Sequence, residues 1–195
     1  MSGALPACAT SPFDSDSLTL RETFEQDGFR YALAGYGTVQ LVAISGSGVV
    51  EIPESVIFGE AEYRVIAIGG IDADGVYNGK SVLGDGVTAV SIPSSVKYIW
   101  YMALSSKKLT EATIVGGEDG IIIADSAFYG SSKLMTVNIS GNIKYIGDGA
   151  FGNCTTLKKV NFDGTKAQWN AIDIDTSWKS GSWMCRVYCT DGNIR

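Results

Sequence analysis

The sequence predicts a mostly β solenoid, in which short two-strand repeats of about 23 residues stack between two terminal caps. Three observations predict this fold. Segments of the second half recur at a fixed period, and each contains two short runs in which alternate residues are apolar. The chain of 195 residues also holds 24 glycines against 4 prolines, which suits closely spaced turns. A chain of this size is expected to form one compact domain or two very small ones.

The period is clearest in two segments of ten residues. Val90–Ile99 and Val137–Ile146 lie 47 residues apart, which is two periods, and a further copy begins midway at Ala112. Another copy begins at Val160, and a degenerate one covers Val50–Gly69. After the second run the copies align again, as Ala103-Leu104 to Leu109, Ala127-Phe128 to Leu134 and Ala150-Phe151 to Leu157. We therefore expect two strands per repeat, followed by a half-turn whose apolar side chains fill the interior.

A solenoid needs caps, because an uncapped end exposes its core and its strand edges. Two alternating runs within 24–44, joined at Gly35-Tyr36-Gly37, predict an N-terminal hairpin. Near the other end, Thr165 is expected to N-cap a short helix, and 183–189 to form a closing strand. We expect three tryptophans to cover the last layer: Trp169, Trp178 and Trp183. The predicted organisation is a disordered leader, 1–20, and one domain, 21–195, divided into a hairpin cap (21–48), repeats (49–162) and a C-terminal cap (163–195).

Several motifs of these repeats resemble one known family. They are Ile92-Pro93-Ser94-Ser95-Val96, Lys144-Tyr145-Ile146-Gly147, Ala150–Cys154 and Thr156–Val160. This pattern is similar to the BspA-like (Treponema-pallidum-type) leucine-rich-repeat family of bacterial surface proteins, over roughly residues 24 to 194. The resemblance implies a right-handed leucine-rich-repeat solenoid at the cell surface or outside the cell, with adhesion as its usual proposed role. Trp100 and Asp74 depart from the pattern, since glycine and phenylalanine are expected there.

Composition argues against most other functions. The chain has no histidine, which removes most familiar acid–base and nucleophilic arrangements, and no catalytic residue or cofactor is predicted. Its net charge of −6 disfavours nucleic acid as a partner. No apolar run is long enough for membrane insertion, and no intact secretory signal is recognised at the start. Three acidic clusters lack the ligand pattern of a calcium loop, so we interpret them as solvated turns and predict no metal site: 72–75, 118–120 and 173–175.

The cysteines do not predict a disulfide framework. Cys185 and Cys189 lie four residues apart in the predicted closing strand, which places their Cα atoms about 13 Å apart. This separation exceeds the reach of a disulfide bond. The cysteines therefore do not indicate whether the protein's cellular compartment is oxidising or reducing. Cys8 follows a sequence that loosely resembles a lipidation box but lacks the apolar run such a signal requires.

Equivalent positions of stacked repeats form rows, and two outward rows are candidate binding residues. The first is polar and lies on the first strand: Ser91, Thr113, Asn138 and Asn161. The second lies on the second strand and contains Tyr98, Ile122 and Tyr145, flanked by Lys97 and Lys144. A row of exposed aromatic side chains can mark a binding surface. The alternative is that these rings only cover strand backbone.

Three functional hypotheses follow from different classes. The first is a non-catalytic recognition module that binds a protein, such as host extracellular matrix or another cell surface. The second is a structural or assembly domain of a larger surface or phage protein. The third is a carbohydrate-binding module, which would require tryptophans exposed in a groove.

Overall fold

The structure, a computed structural model, describes residues 22–70 and 79–194, and it forms a solenoid. Its 14 strands belong to one hydrogen-bonded network, and its helical content is a single short helix among the described residues. The predicted mostly β solenoid is therefore confirmed. The predicted leader (1–20), Cys8 and the acidic cluster at 72–75 lie outside the described residues.

Three antiparallel strands begin the fold: β1 (Thr23–Gln26), β2 (Phe29–Gly35) and β3 (Thr38–Ile44). The sequence predicts two strands here, because Asp27-Gly28 falls inside an alternating run. Both residues adopt positive φ (51° and 81°), as the tight turn between β1 and β2 requires. β3 then pairs in parallel with a strand of the first turn and so joins the cap to the solenoid.

Each of the six turns contributes a first strand to one parallel sheet. In spatial order these strands are β4 (Ser47–Glu51), β7 (Gly86–Ile92), the start of β9 (Glu111–Ile123), the start of β10 (Thr136–Ile146), β11 (Lys159–Phe162) and β13 (Arg186–Cys189).

The second strands form the facing sheet. Their order is β6 (Ala61–Ile68), β8 (Tyr98–Ile99), the end of β9, the end of β10 and β12 (Asp173–Ile174). In the first turn, β5 (Ser55–Phe58) pairs antiparallel with β6 and forms a hairpin that the sequence did not predict.

In the two central turns, the two predicted strands are continuous. β9 and β10 each run through the corner between the sheets, with register shifts after Gly141. The corner can bend without breaking because glycines occupy it on both strands. A Cβ atom on Gly116 would overlap the backbone of Asn142, and one on Gly141 would overlap the backbone of Gly116. The two corners therefore pack backbone against backbone.

The core consists of apolar rows that run along the solenoid axis. On the first sheet, Val90, Ala112, Val137, Val160 and Val187 occupy successive register positions and are all buried. On the second sheet the equivalent buried row is Ile68, Ile99, Ile123 and Ile146. Burying each Val or Ile side chain contributes about 1.5–3 kcal/mol. β-branched residues suit these positions because they are stiff and pack well on a pleated surface.

The half-turns are closed by a row of small polar side chains. The Ser131 hydroxyl donates to the Leu104 carbonyl oxygen (3.4 Å), the Cys154 thiol to that of Phe128 (3.3 Å) and the Ser182 hydroxyl to that of Phe151 (2.8 Å). Each donor therefore satisfies a buried carbonyl of the preceding turn. Cys154 occupies this row as an equivalent of serine.

The buried thiols are expected to resist modification. Burial raises the pKa of Cys154 to about 12 and that of Cys185 to about 11, and all three described cysteines are free. Iodoacetamide at pH 8 should therefore modify Cys189, which is half-buried, much faster than Cys154 or Cys185 in the native protein. Peptide mapping by mass spectrometry measures the alkylation rate of each cysteine. The difference between the rates should disappear when urea unfolds the protein.

The sign of the pH effect follows from the same shifts. The neutral thiol is favoured by folding, so its stabilising contribution is complete below the ordinary thiol pKa of 9.0. It is lost as the pH rises towards 11 and 12. Equal alkylation of the three cysteines in the native state would contradict this account of the core.

The C-terminal end contains the predicted helix, α1 (Lys166–Asn170), with Thr165 as its N-cap. Thr165 and Gln168 form a capping box, and Trp169 packs inward. After β13, the antiparallel strand β14 (Gly192–Ile194) pairs at the edge of the first sheet. The expectation for Trp183 is wrong. Trp169 and Trp178 are buried, but Trp183 lies on an outer turn and is 92% exposed.

Candidate functional site

The first-strand row lies on the outer face of the first sheet. Strand register places Ser91 beside Thr113, Thr113 beside Asn138, and Asn138 beside Asn161. All four side chains are half-buried. The row continues to Glu51 at one end and Tyr188 at the other, which sequence reasoning missed. β4 lies in the degenerate copy and β13 in the predicted C-terminal cap, so the predicted row was not extended to them.

Hydrogen bonds connect part of this row. The Asn161 side-chain amide donates to Asn138 Oδ1 (2.8 Å), and the Asn138 amide donates to Glu111 Oε1 (2.8 Å). Glu111 itself belongs to a second outward row of the same sheet, in which Thr136, Lys159 and Arg186 follow at successive strands. This face therefore presents an ordered set of amides and charges on rigid backbone.

The second-strand row lies on the facing sheet. Register places Tyr98 beside Ile122 and Ile122 beside Tyr145. The three side chains are half-buried, and the Tyr98 ring stacks on Trp100 with the ring centroids 5.7 Å apart. The structure thus brings the three apolar residues of the predicted row together as neighbours. Trp100 stands where the family pattern expects glycine, and its half-buried side chain packs against the core.

Carboxylates surround the end of this row. Asp173 is the strand neighbour of Tyr145. Partial burial raises the pKa of Tyr145 above its ordinary value, and Asp125, Asp175, Asp173 and Asp148 add to the shift by electrostatic repulsion of the phenolate. Burial and the carboxylates therefore favour the neutral phenol of Tyr145 over its phenolate.

The two flanking lysines differ in their environment. The Lys97 ammonium lies 2.6 Å from a carboxylate oxygen of Asp119, at the corner between the sheets. Its hydrogen bond and positive charge hold the pKa of the Asp119 carboxyl below its ordinary value. Lys144 is exposed on the next turn. Sequence reasoning placed Asp119 in a solvated turn, because the sequence does not show that the corner folds back towards Lys97.

The shape of the site is that of a surface and not of a pocket. An open groove of about 550 Å³ lies elsewhere, between the corner of β10 and α1, and is lined by Asn142, Phe162, Asp163, Gln168 and others. Its lining contains none of the predicted site residues and no tryptophan. Within 22–70 and 79–194, no group of three or more metal-binding side chains is found. No helix in this part of the chain is long and apolar enough to cross a membrane.

Comparison with known families agrees with the repeat geometry. The family described as "BspA type Leucine rich repeat region" matches residues 84–172, in six copies. The chain carries a BspA-type leucine-rich-repeat region. Within it lie the central strands β7 to β11 and both candidate rows, so the resemblance drawn from the motifs is confirmed.

The chain is also similar to solved protein structures. A leucine-rich repeat protein from Bacteroides capillosus shares 21% identity, with a TM-score of 0.47, over 86% of this chain and 97% of its own. A leucine rich cell surface protein from Faecalibacterium prausnitzii shares 16% (TM-score 0.43; 87% and 55%). The pneumococcal vaccine antigen PcpA shares 19% (TM-score 0.43; 74% and 38%). The chain thus spans about half or less of the length of the last two. No curated protein sequence matches it at a significant level.

Proposed function

We propose that this protein is a non-catalytic recognition module of a bacterial surface or secreted protein, and that it binds a protein partner through the outer faces of its solenoid. The observation that carries the proposal is the second-strand row. Tyr98, Ile122 and Tyr145 lie on adjacent strands with their side chains partly exposed. Tyrosine offers a large contact area and one polar group at a small entropic cost.

The scaffold supports binding more than chemistry. The row is held by parallel strand pairing on both sides, and therefore needs little ordering when a partner binds. The BspA-type region favours a protein-binding role outside the cell, and adhesion to host extracellular matrix or to another cell surface is the finer form of the proposal. The chain has no histidine to act as a general base.

A double variant tests the proposal. Tyr98→Ser/Tyr145→Ser should abolish binding of a partner found by screening the protein against extracellular-matrix proteins. The expected weakening is at least tenfold, because the substitutions remove the two largest contact surfaces of the row. Binding is measured by biolayer interferometry, and the melting temperature is measured in parallel.

The matched control is Tyr36→Ser, which removes a fully exposed tyrosine outside the row. It should leave binding unchanged. If the double variant binds normally, or loses its binding only because it melts well below the parent protein, the rings are structural and the proposal is wrong.

Two alternatives are separated by the same protein samples. A structural or assembly domain of a larger surface or phage protein would form a stable oligomer in light scattering and bind none of the screened proteins. A carbohydrate-binding module that uses tryptophans in a groove is disfavoured, since Trp169 and Trp178 are buried and the exposed Trp183 does not line the groove. A glycan panel run beside the protein screen tests the glycan alternative directly.

A further inference from the structure

The positive charges of this acidic protein are concentrated on one edge of the solenoid. This cationic edge is defined as the four half-turns and strand starts at 105–111, 129–136, 152–159 and 179–186. It contains one carboxylate, that of Glu111, against seven of the 15 basic residues of the chain: Lys107, Lys108, Lys133, Lys158, Lys159, Lys179 and Arg186. The local charge is therefore +6, while the whole chain carries −6.

The half-turns of the cationic edge stack directly on one another. The Lys158 amide donates to the Met135 carbonyl oxygen, and the Arg186 amide donates to that of Lys158. Lys159 and Arg186 are strand neighbours in β11 and β13. The Cα atoms of Lys159 and Arg186 therefore lie about one strand spacing apart, roughly 4.8 Å. The row continues through Thr136 to Glu111, so the cations of the other half-turns occupy different positions. The arrangement is a patch of positive charge that extends over four stacked half-turns.

Most of these cations are not neutralised. Neither of the two ion pairs within 22–70 and 79–194 involves a residue of the edge. Lys107 and Lys179 donate to backbone carbonyl oxygens, those of Gly130 and Cys185. The other five side chains are exposed: Lys108, Lys133, Lys158, Lys159 and Arg186.

Apolar side chains accompany the charges at the C-terminal end of the edge. Trp183 is 92% exposed and Met184 is 65% exposed, two to three residues before Arg186. Burial in the cap does not account for Trp183, which is the most exposed tryptophan of the described residues. An exposed indole offers a flat apolar surface against which the C–H face of a sugar ring can pack.

We infer that the cationic edge is a second binding site, and that its ligand is a linear anionic polysaccharide that carries sulfate or carboxylate groups. A patch of exposed cations that extends over several stacked half-turns fits an extended anionic polymer. An acidic folded protein would instead need a complementary shape. A single-stranded nucleic acid needs aromatic rings at successive positions, and the exposed rings of the edge, Tyr129 and Trp183, lie on half-turns that a third half-turn separates. The site lies apart from the Tyr98–Tyr145 row, so each proposal can fail without the other.

The test uses heparin as the sulfated probe, polygalacturonate as the carboxylated probe and dextran as the neutral control. The intact protein should bind at least one of the two anionic probes at 50 mM NaCl, and the affinity should fall at least tenfold at 300 mM NaCl. Dextran should not bind. Isothermal titration calorimetry measures the affinity for each probe at both salt concentrations. No binding of either anionic probe at 50 mM NaCl would overturn the inference.

Two triple variants with equal charge changes locate the site. Lys133→Gln/Lys158→Gln/Lys159→Gln should weaken binding at least tenfold. The control, Arg64→Gln/Lys144→Gln/Lys166→Gln, alters basic residues outside the edge and should weaken it less than threefold. Equal losses of affinity in the two variants would mean that net charge alone governs binding. That result would contradict the assignment of the binding site to the cationic edge. Urea midpoints close to that of the parent protein exclude misfolding as the cause.

Further variants and competitors test the chemical class of the ligand. Trp183→Ala should weaken polysaccharide binding several-fold without changing its salt dependence. Polyglutamate and a single-stranded oligonucleotide of equal charge should bind more weakly than the preferred polysaccharide. Tighter binding of polyglutamate would assign the edge to an acidic protein, and tighter binding of the oligonucleotide would assign it to nucleic acid. Either result overturns the proposed ligand. Tyr98→Ser/Tyr145→Ser should bind the polysaccharide normally.

Discussion

Replacing Phe128 with alanine is expected to lower the free energy of unfolding by about 3–5 kcal/mol. Phe128 and Phe151 are fully buried in successive half-turns, and their rings stack with the centroids 4.9 Å apart. The Phe151 ring then meets Trp178 edge-on at 5.8 Å. Removing the Phe128 ring leaves a cavity at one end of this row of aromatic rings, and the neighbouring turns cannot close it because their backbones are held by strand pairing.

Urea unfolding followed by circular dichroism measures the loss. Phe128→Leu should cost less, because leucine fills part of the space. The surface control is Met135→Ala, since Met135 is 50% exposed in the following turn and should change stability by less than about 1 kcal/mol. A loss of under 1 kcal/mol for Phe128→Ala would show that the half-turns repack, and that the row of aromatic rings does not hold the turns together.

Replacing Gly141 with alanine is expected to cost about 3 kcal/mol or more. Gly141 has φ +74°, and a Cβ atom there would overlap the backbone of Gly116 on the neighbouring strand. The backbone conformation alone costs about 1–2 kcal/mol for an L residue. The overlap adds a larger cost, since the atoms in the way belong to paired backbone and cannot move independently.

Gly48 offers a control, because its backbone conformation is similar to that of Gly141 but an added Cβ atom would not overlap another strand. Gly48 has φ +72°, and a Cβ atom at that position would meet nothing within 4 Å. Gly48→Ala should therefore report the conformational cost alone, about 1–2 kcal/mol. The difference between the two variants, measured by urea unfolding, is the cost of separating two corners of the solenoid. Equal losses would mean that the corners do not depend on backbone contact.

Much of the fold was predictable because the repeats are regular between Val90 and Phe162. Alternating apolar residues predicted the buried rows, and Thr165 predicted the start of the helix. The structure of the first turn was harder to predict from the sequence. The hairpin of β5 and β6 interrupts the repeat, and Asp27-Gly28 divides one apparent strand into two. Local turn chemistry overrode the alternating pattern at both places.

The candidate rows were predictable as sets of residues but not as surfaces. Register placed Tyr98, Ile122 and Tyr145 side by side, as the period requires. Their environment depends on particular side-chain contacts, such as that of Tyr98 with Trp100 two residues along the chain and that of Lys97 with Asp119 in the next turn. The period does not specify these contacts, because they involve the positions at which the repeats differ.

The architecture follows from the sequence, since each repeat carries the same alternation of apolar residues and can bury them only by stacking on a copy of itself. Which side chains share a surface depends on the folded chain. Folding continues the two central strands through glycine corners, buries Trp169 and Trp178, leaves Trp183 exposed and stacks the lysine-bearing half-turns on one another. The reason is physical. Burial of the core is a local requirement repeated along the chain, whereas the outer surface is assembled from residues that only the stacking brings together.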